Sequence, residues 1–460
     1  MSTAGISFGG LASGLDTKSI ITALVAVERR PIDALTTKKG SLTKQKTLMT
    51  DLRGLLDKLT TAAKSLKTTT DFLKMKAASD DETVLTASAS SSATPGSYTV
   101  SVEKLARAQI NWSSGSASAT ASLGANATFM LTVGGEPHLI SVGSPTQPVT
   151  LESIAAAIND DDDLNEIGMQ AEVVNTGAAS NPYQLVIRST TTGTEGAFTL
   201  EVDEGSTAFE ALFAELNQAA NKTSAQNAEL KINGGITIQR SSNEISDLFA
   251  GITLDLKSAK PGTDVTVTVS TDAEATSKKV QDFVDAYNKV VEFIANQNVL
   301  DADGKAKNPL FGDSTLRSLR TSLRGVVGSV VNDSENEAYQ MLAQIGVTAD
   351  RDGKLTFNSS KFAEALAADE QSVATVFTGA TGGIATRLVD QIDVYTDTVD
   401  GLLKSRDDGF GRLLKDTQNR IDQGERRLTL FQQQLEAKYA NLESLLSKLQ
   451  SQGSSISSIG

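Results

Sequence analysis

The 460-residue chain contains no cysteine and only one histidine, His138. Disulfides, thiolate metal sites and cysteine nucleophiles are therefore excluded. Aromatic residues make up 5% of the chain, and we interpret the single tryptophan, Trp112, as a packing anchor. No segment has the ~20 consecutive apolar residues that a membrane-spanning helix needs. The N-terminal residues 1–10 have neither a basic region nor a long apolar one, so we expect no Sec signal peptide.

Positive charge is scarce in the middle of the chain. Residues 108–272 hold 6 basic and 20 acidic residues, and this net charge of −14 equals that of the whole chain. The flanking segments cancel, since residues 1–107 carry a net +5 and residues 273–460 a net −5. Nucleic-acid binding relies on Lys and Arg side chains that neutralise phosphates. The charge distribution therefore argues against a nucleic-acid partner.

Residues that could carry chemistry are few. A Ser-His-Asp triad would have to use His138, but no nucleophile-elbow sequence accompanies it. The segments 301–304 and 350–353 (Asp-x-Asp-Gly) place glycine at position four, whereas an EF-hand loop needs it at position six. We interpret them as turns, and the acidic run 160–163 as a solvated loop or helix end. We expect no catalytic residue, no cofactor, no metal site and no enzymatic activity.

A seven-residue apolar repeat is present at both ends of the chain. Near the C-terminus it comprises Leu414, Ile421, Leu428, Leu435, Leu442 and Leu449. Near the N-terminus it comprises Leu35, Leu42, Met49, Leu56 and Ala63, with Leu52, Leu59 and Leu66 at the second repeating position. A heptad repeat is typical of a helix that packs against another helix, so we predict that the two terminal helices pair.

The predicted contact surface, here called the seam, has weak positions. Thr417, Gly424 and Lys438 occupy its second position in the C-terminal helix. The repeat is therefore also compatible with a helix packed on its own domain, or with a pair that a partner completes. We predict that the seam and partner-binding residues are Leu35, Leu42, Leu52, Leu56, Leu59, Ile421, Leu428, Phe431, Leu435, Leu442, Leu445 and Leu449.

The pattern between the ends predicts an α+β multidomain protein. A first helix is expected from Asp16 to an interruption at Pro31, followed by a longer helix over residues 32–66. Alternating apolar residues predict strands from residue 84 to residue 269, including hairpins with Gly-Gly turns at 134–135 and 234–235. Helical periodicity returns from residue 277, and the terminal helix is expected to begin at about Phe410.

This order suggests nested domains. Residues 1–40 and 415–460 are expected to pair as a coiled-coil leg. Residues 41–109 and 273–414 are expected to form a helical/β middle domain. Residues 110–128 and 200–272 are expected to form a β-rich head domain, into which residues 129–199 are inserted as a second one.

Specific segments resemble the flagellar hook-associated protein 2 family, the flagellar filament cap proteins. The segments occur in order along nearly the whole chain, at 10–16 (GLASGLD), 30–31 (RP), 102–109 (VEKLARAQ), 228–234 (AELKING), 240–245 (RSSNEI), 251–254 (GITL), 283–288 (FVDAYN), 309–317 (PLFGDSTLR), 345–350 (IGVTAD) and 352–355 (DGKL). Residues 110–225 lack a family signature beyond a likeness to the small insertion units of flagellins.

The resemblance implies a non-enzymatic protein at the distal tip of the bacterial flagellum, which retains flagellin and promotes its folding and insertion. It implies flexible legs that touch the filament and β domains that form a plate. It also implies a ring-like homo-oligomer, a pentamer by family resemblance, with flagellin, hook–filament junction proteins and an export chaperone at the C-terminal helix as partners. Export through the flagellar type III channel would fit an extracellular location without a Sec signal.

Two other classes of protein remain as alternatives. A flagellin-like axial protein would also have paired terminal helices around a β insertion, but would polymerise into filaments rather than closed rings. A surface adhesin or glycan-acting secreted protein would need an identified receptor, or a pair of catalytic carboxylates in the acidic β region. The sequence identifies neither a receptor nor a convincing pair.

Overall fold

The computed structural model describes residues 16–331, 338–379 and 382–457, with side chains to residue 454. Residues 10–15 of the N-terminal motif and residues 458–460 of the Ser/Gly tail lie outside the described residues. Within the described part, the predicted α+β class with long terminal helices is confirmed.

The helices begin and end the described chain. They are α1 (Thr17–Lys64), α2 (Thr69–Phe72), α3 (Leu151–Asn159), α4 (Asp162–Glu166), α5 (Thr207–Leu216), α6 (Ala273–Gln297), α7 (Ser314–Val327), α8 (Ser359–Ala368), α9 (Glu370–Thr378), α10 (Ile384–Thr396) and α11 (Leu402–Ser457).

The strands lie mainly between α2 and α6. They are β1 (Met75–Ser79), β2 (Leu85–Ala89), β3 (Gly96–Lys104), β4 (Ile110–Trp112), β5 (Asn126–Val133), β6 (Glu136–Gly143), β7 (Met169–Asn175), β8 (Tyr183–Ser189), β9 (Phe198–Glu204), β10 (Lys222–Thr223), β11 (Ala228–Ile232), β12 (Ile236–Arg240), β13 (Glu244–Phe249), β14 (Ile252–Leu256), β15 (Asp264–Thr271), β16 (Val347–Ala349) and β17 (Leu355–Phe357).

The chain divides into two compact units. The first contains residues 1–72 and 273–460, and the second contains residues 73–272. Apart from the short β16–β17 hairpin, the described elements of the first unit are helices, so it is called the helical unit. The second is called the β unit. The charge counts assign the net charge of −14 to the β unit and zero to the helical unit.

Helix α1 is continuous, so the predicted interruption at Pro31 is wrong. A proline inside a helix removes one backbone hydrogen bond and often bends the helix, but does not always end it. Here the residues on both sides of Pro31 contact α11: Glu28 pairs with Arg427, and Ile32 lies against Gly424. Packing against a second helix thus stabilises α1 through the proline.

The body of the helical unit is built around α1 and α6. The apolar side of α6 includes Phe283, Tyr287 and Val290, spaced three and four residues apart, and all three are buried. The buried face of α7 carries Leu316 and Leu319. Both helices therefore contribute amphipathic faces to one core, as their periodicity predicts.

The β unit contains two apolar cores. One joins strands β5–β9 to helices α3, α4 and α5, with Phe129, Phe209 and Phe213 at its centre. The other is formed by antiparallel strands of the sheets β1-β15-β3-β11-β12 and β13-β14-β2. Both predicted Gly-Gly hairpins are present, as β5–β6 and β11–β12.

The strand and helix prediction missed part of the first core. Helix α5 carries Phe209, Leu212 and Phe213 at helical spacing, and strand β9 pairs with β5. The residues after Trp112 are hydrogen-bonded to β8, since Ser113 N donates to Leu185 O at 2.9 Å and Ser116 N donates to Tyr183 O at 2.7 Å.

Candidate partner interface: the paired terminal helices

Helices α1 and α11 lie side by side and antiparallel. Polar contacts join low-numbered residues of α1 to high-numbered residues of α11. Arg29 Nη2 lies 3.0 Å from Glu425 Oε1, and Lys46 Nζ lies 3.4 Å from Asp407 Oδ2. Between these pairs, Lys39 Nζ donates to Gln418 Oε1. Exposed pairs of this kind stabilise a fold by less than about 1 kcal/mol each, so they define the register more than the stability.

The α1 residues of the predicted seam are mostly buried. Leu52, Leu56 and Leu59 are fully buried, Leu42 is buried, and Leu35 is half-buried. Helix α1 also packs on α6 and α10, and Arg53 in its second half donates to Thr396 O of α10, which agrees with the more complete burial there. The N-terminal half contacts α11 through a narrower face.

The α11 residues of the predicted seam fall into two groups. Leu428 is buried, and Ile421, Phe431 and Leu435 are half-buried on the side that faces α1. The structure thus brings these residues together with the α1 seam. The last three do not join it, because the exposed fractions are 44% for Leu442, 61% for Leu445 and 55% for Leu449.

Two physical reasons account for these exposed leucines. The first described residue of helix α1, Thr17, lies level with Tyr439 and Ala440 of α11, and α11 continues to Ser457. In addition, a straight helix has 3.6 residues per turn and drifts by roughly 20° per heptad relative to a seven-residue repeat. The half-buried positions accordingly move from Leu435 to Tyr439 and Leu446, and leave Leu445 and Leu449 on the outer side.

Sequence reasoning missed one member of the contact, Ile32, and treated another, Gly424, only as a weak position of the seam. Ile32 is 3% exposed and continues the three-and-four spacing of the seam toward the N-terminus, so this spacing could have identified it. Gly424 lies against Ile32, since a Cβ added to Gly424 would be 2.9 Å from Ile32 Cγ1. Only the close approach of the two helices explains the glycine.

A groove opens between the two helices near the described start of α1. It has a volume of about 940 Å³, and its lining includes Ile21, Tyr439 and Glu443. On the outer surface nearby, Leu24 is 40% exposed, Val27 is 56% exposed and Leu430 is 59% exposed. These side chains add apolar surface to that of Leu442, Leu445 and Leu449. Exposed apolar side chains that form a contiguous patch would be typical of a protein-binding surface.

The candidates for chemistry do not assemble into a site. His138 is half-buried in β6, opposite Leu131 of β5. Within the described residues, no group of three or more His, Cys, Asp or Glu side chains is placed to hold a metal ion. In the same part of the chain, no helix is long and apolar enough to cross a bilayer.

The aspartate carboxylates of the acidic turns accept hydrogen bonds from backbone N–H groups of the same turns. Asp301 Oδ1 accepts from Lys305 N at 2.8 Å, and Asp350 Oδ1 accepts from Lys354 N at 2.8 Å. Asp161 accepts from Leu164 N at 3.0 Å and caps α4. These are turn and cap interactions, which agrees with the interpretation of these segments as turns.

A cap fixes the described start of α1 in the same way. Asp16 accepts from Ser19 N at 3.0 Å and also from the Ser19 hydroxyl. The hydroxyl donor, followed by the backbone donor, holds the pKa of Asp16 below its ordinary value. The charged carboxylate thus interacts favourably with the N-terminal end of the helix dipole.

Two segments of this chain match one known protein family, and relatives in that family align with nearly the whole chain. Residues 13–109 match the flagellar hook-associated protein 2 N-terminus and residues 225–451 match its C-terminus. The B-type flagellar hook-associated protein 2 of Pseudomonas aeruginosa is 29% identical and covers 98% of this chain and 97% of its own length. The Escherichia coli K12 flagellar hook-associated protein 2 is 28% identical with the same coverage.

A solved structure has a similar fold. The crystal structure of the flagellar cap protein FliD D1-D2-D3 domains from Escherichia coli superposes with a TM-score of 0.62 at 28% identity. The superposition covers 79% of this chain and 99% of the chain in the crystal structure. The two matched segments flank residues 110–224, which lie within the stretch 110–225 that shows no family signature. The chain belongs to the flagellar hook-associated protein 2 family.

Proposed function

We propose that this protein caps the distal tip of a bacterial flagellar filament, where it retains flagellin and promotes its folding and insertion. The structural observation that carries the proposal is the exposed leucine face of α11. Leu442, Leu445 and Leu449 lie on one side of the helix, beyond the described start of α1. A helix with such a face is completed by another helix, which the tip of a growing filament would supply.

The proposed leg comprises residues 1–40 and 415–460. Its proposed contact residues are the predicted seam residues within these bounds, namely Leu35, Ile421, Leu428, Phe431, Leu435, Leu442, Leu445 and Leu449. The remaining domain boundaries are those expected from the sequence, namely 41–109 with 273–414, 110–128 with 200–272, and 129–199. Deleting either part of the leg should leave the two units folded, because each has an apolar core outside this segment.

The proposed partners follow from family membership. Copies of this chain form a ring, for which we propose five subunits. Flagellin and the hook–filament junction proteins meet the leg end of the ring, and an export chaperone covers the C-terminal helix before assembly. An exposed apolar helix face needs such a cover during export, because it would otherwise promote aggregation. We further propose export to the outside of the cell without a Sec signal.

We propose no catalytic activity. The carboxylates of the acidic turns accept hydrogen bonds from backbone amides. The sequence contains no histidine besides His138 and no cysteine that could complete a site with it. Neither a flagellin-like filament protein nor a glycan-acting secreted protein gains support from the relatives described above. An adhesive role for the β unit also lacks a supporting observation.

Complementation tests the proposal. The protein would be expressed in a strain that lacks its own cap gene and carries a matching flagellin. Swimming and the amount of flagellin shed into the medium would be measured. We expect the chain to restore swimming and to lower shedding. Undiminished shedding, with the protein exported and folded, would refute the capping role.

A triple variant, Leu442→Asp/Leu445→Asp/Leu449→Asp, tests the observation that carries the proposal. We expect it to fold as an isolated subunit but to restore neither swimming nor flagellin retention, because charged residues oppose burial against another helix. The matched control is Leu139→Asp. Leu139 is also exposed, at 57%, but lies on β6 of the β unit. If the triple variant capped as well as the control, the leucine face would not be the contact.

A further inference from the structure

Three arginines lie on one side of helix α7. Arg317, Arg320 and Arg324 are spaced three and four residues apart, so their side chains are neighbours on the helix surface. They line a surface cleft of about 520 Å³, and the helix contains no acidic residue. This stripe, here called the arginine face, therefore presents three positive charges over roughly 10 Å of helix.

The arginine face has no ionic partner among the described residues. No carboxylate in that part of the chain forms an ion pair with any of the three guanidinium groups. Arg317 Nη2 donates instead to Gly312 O at 3.2 Å. Arg320 Nη2 donates to Asp352 O at 2.8 Å. Like charges at this spacing destabilise a helix, so the face weakens α7 without a neutralising contact in the described residues.

The opposite charge is concentrated in part of the β unit. Residues 110–225 hold 2 basic and 14 acidic residues, a net charge of −12. Four exposed carboxylates lie close together where α3 ends and α4 follows, and they are here called the acidic corner: Asp160, Asp162, Asp163 and Glu166. Like the arginine face, the acidic corner forms no ion pair within the described residues.

We propose that the arginine face of one copy of this chain docks on the acidic corner of the next copy. Both surfaces place three or four exposed charges on a short stretch of helix, and the charges are opposite in sign. Such complementarity favours encounter of the two surfaces and fixes their orientation. Because the two surfaces differ, the contact is head-to-tail, an arrangement that closes into a ring when the rotation between copies permits. The inference names contact surfaces of the proposed ring and so rests on the proposed function.

Charge reversal on each surface separately provides the test. The first variant, Arg317→Glu/Arg324→Glu, reverses the arginine face and keeps Arg320, which holds the neighbouring turn. The second variant, Asp160→Lys/Glu166→Lys, reverses the acidic corner. Asp160 caps the C-terminal end of α3 and Glu166 is the last residue of α4. Cations are favourable at both positions, so we expect the second variant to fold.

Self-association of the full-length chain would be measured by sedimentation velocity at low ionic strength. We expect the wild type to associate and each variant alone to associate roughly tenfold more weakly or less, because like charges then meet. An equal mixture of the two variants should restore association to within about threefold of the wild type. In the mixture, the two reversed surfaces can pair with each other, and so can the two unaltered ones.

Two results would overturn the proposal directly. One is a wild-type chain that stays monomeric at low ionic strength, and the other is a mixture that associates no more tightly than its components. Mixing also separates a contact between copies from a contact within one chain, since a second chain cannot restore an internal contact.

Two matched controls separate a defined contact from a general effect of net charge. Lys305→Glu/Lys307→Glu makes the first charge change at exposed residues of the helical unit, and should associate like the wild type. Glu201→Lys/Glu204→Lys makes the second change at exposed residues of β9, and should not restore association when mixed with the arginine variant. If either control behaved like the reversal it matches, net charge would explain the result and the proposal would fail. Melting temperatures of all variants verify that they are folded.

Salt distinguishes this contact from the exposed leucine face of α11. Association through the arginine face should weaken by roughly tenfold or more between about 0.02 M and about 0.3 M salt, because counterions screen exposed charges. Apolar contacts do not weaken in this way. The triple variant Leu442→Asp/Leu445→Asp/Leu449→Asp should therefore keep the salt-sensitive association. Loss of that association in the triple variant would overturn the assignment to α7.

The use of the contact in capping is tested in cells, apart from its existence. If the wild-type chain retains flagellin, we expect the arginine variant to lose most of the restored swimming, whereas Lys305→Glu/Lys307→Glu should not. Normal swimming by the arginine variant would refute a role of the contact in the ring. Failure of the wild-type chain to retain flagellin would instead refute the proposed function and leave the association result standing.

Discussion

Ile32 of α1 lies directly against Gly424 of α11, where the backbone of one helix meets a side chain of the other. A Cβ on residue 424 would be 2.9 Å from Ile32 Cγ1 and 3.2 Å from its Cδ1. Ile32 is 3% exposed, so its side chain has little free space into which it could move. Ile32 directly follows Pro31 in α1. Because proline has no N–H group, α1 lacks one backbone hydrogen bond at this point, and packing against α11 is the more important for its stability there.

Gly424→Leu should therefore destabilise the helix pair. We expect a loss of about 1–3 kcal/mol in the free energy of unfolding, because overpacking displaces neighbouring side chains or separates the helices. Gly411→Leu is the matched control, since nothing lies within 4 Å of its added Cβ. It should be neutral or stabilising. Chemical denaturation followed by circular dichroism compares the two, and equal effects would contradict the close contact.

Substitutions at Leu428 and Leu445 should distinguish the packing of α11 on α1 from its proposed contact with a partner. Leu428 is 5% exposed and faces α1, whereas Leu445 is 61% exposed. Leu428→Asp should lower the stability of the isolated subunit by about 2–4 kcal/mol, through lost burial and the desolvation of a carboxylate. Leu445→Asp should leave that stability within about 0.5 kcal/mol of the wild type. Amide hydrogen exchange in α1 and α11 provides the measurement. Faster amide exchange in Leu445→Asp would show that Leu445 packs within the isolated subunit.

Burial of Tyr287 should make the helical unit sensitive to alkaline pH. Burial raises the pKa of its hydroxyl to about 12, although Arg324 and Arg320 act in the opposite direction. An ordinary tyrosine ionises near pH 10, so the unfolded chain releases this proton first as the pH rises. The stability that depends on the neutral hydroxyl is complete below pH 10 and is lost as the pH rises toward 12. The loss amounts to roughly 2–3 kcal/mol.

Tyr287→Phe tests this dependence, because phenylalanine keeps the ring and cannot ionise. The variant should lose less stability than the wild type between pH 9 and pH 11, about 1 kcal/mol less at pH 11. Melting temperatures measured across this range provide the comparison. Parallel curves for the two proteins would mean that another group dominates alkaline unfolding.

Asp313 should matter to two elements at once. Its Oδ1 caps α7 by accepting from Thr315 N at 2.8 Å, and its Oδ2 pairs with Arg406 of α11. Asp313→Asn keeps an acceptor for the cap and removes the ion pair, so we expect a loss of about 1 kcal/mol. Asp313→Ala removes both interactions and should cost about 2 kcal/mol. Thermal unfolding should rank wild type above Asn and Asn above Ala, and any other order would contradict the double role.

Local sequence patterns were sufficient to predict the terminal helices, the β insertion between them and the family. Heptad spacing identified Leu52, Leu56 and Leu428 as apolar positions of long helices, because helical periodicity is a local property of the chain. The Gly-Gly hairpins at 134–135 and 234–235 were equally clear, since a tight turn depends on the conformational freedom of its own residues. Asp-Gly turns and helix caps followed for the same reason.

The tertiary structure alone decided which side of each helix is covered. Leu435 and Leu449 are equivalent in the heptad repeat, yet one is half-buried against α1 and the other is 55% exposed. The difference depends on where the partner helix begins and on the drift of a straight helix from a seven-residue period, and neither is encoded at the residue itself. Pro31 predicts an interruption of the helix because proline has a low helix propensity. Packing against α11, which is distant in the sequence, overrides that propensity and keeps α1 continuous.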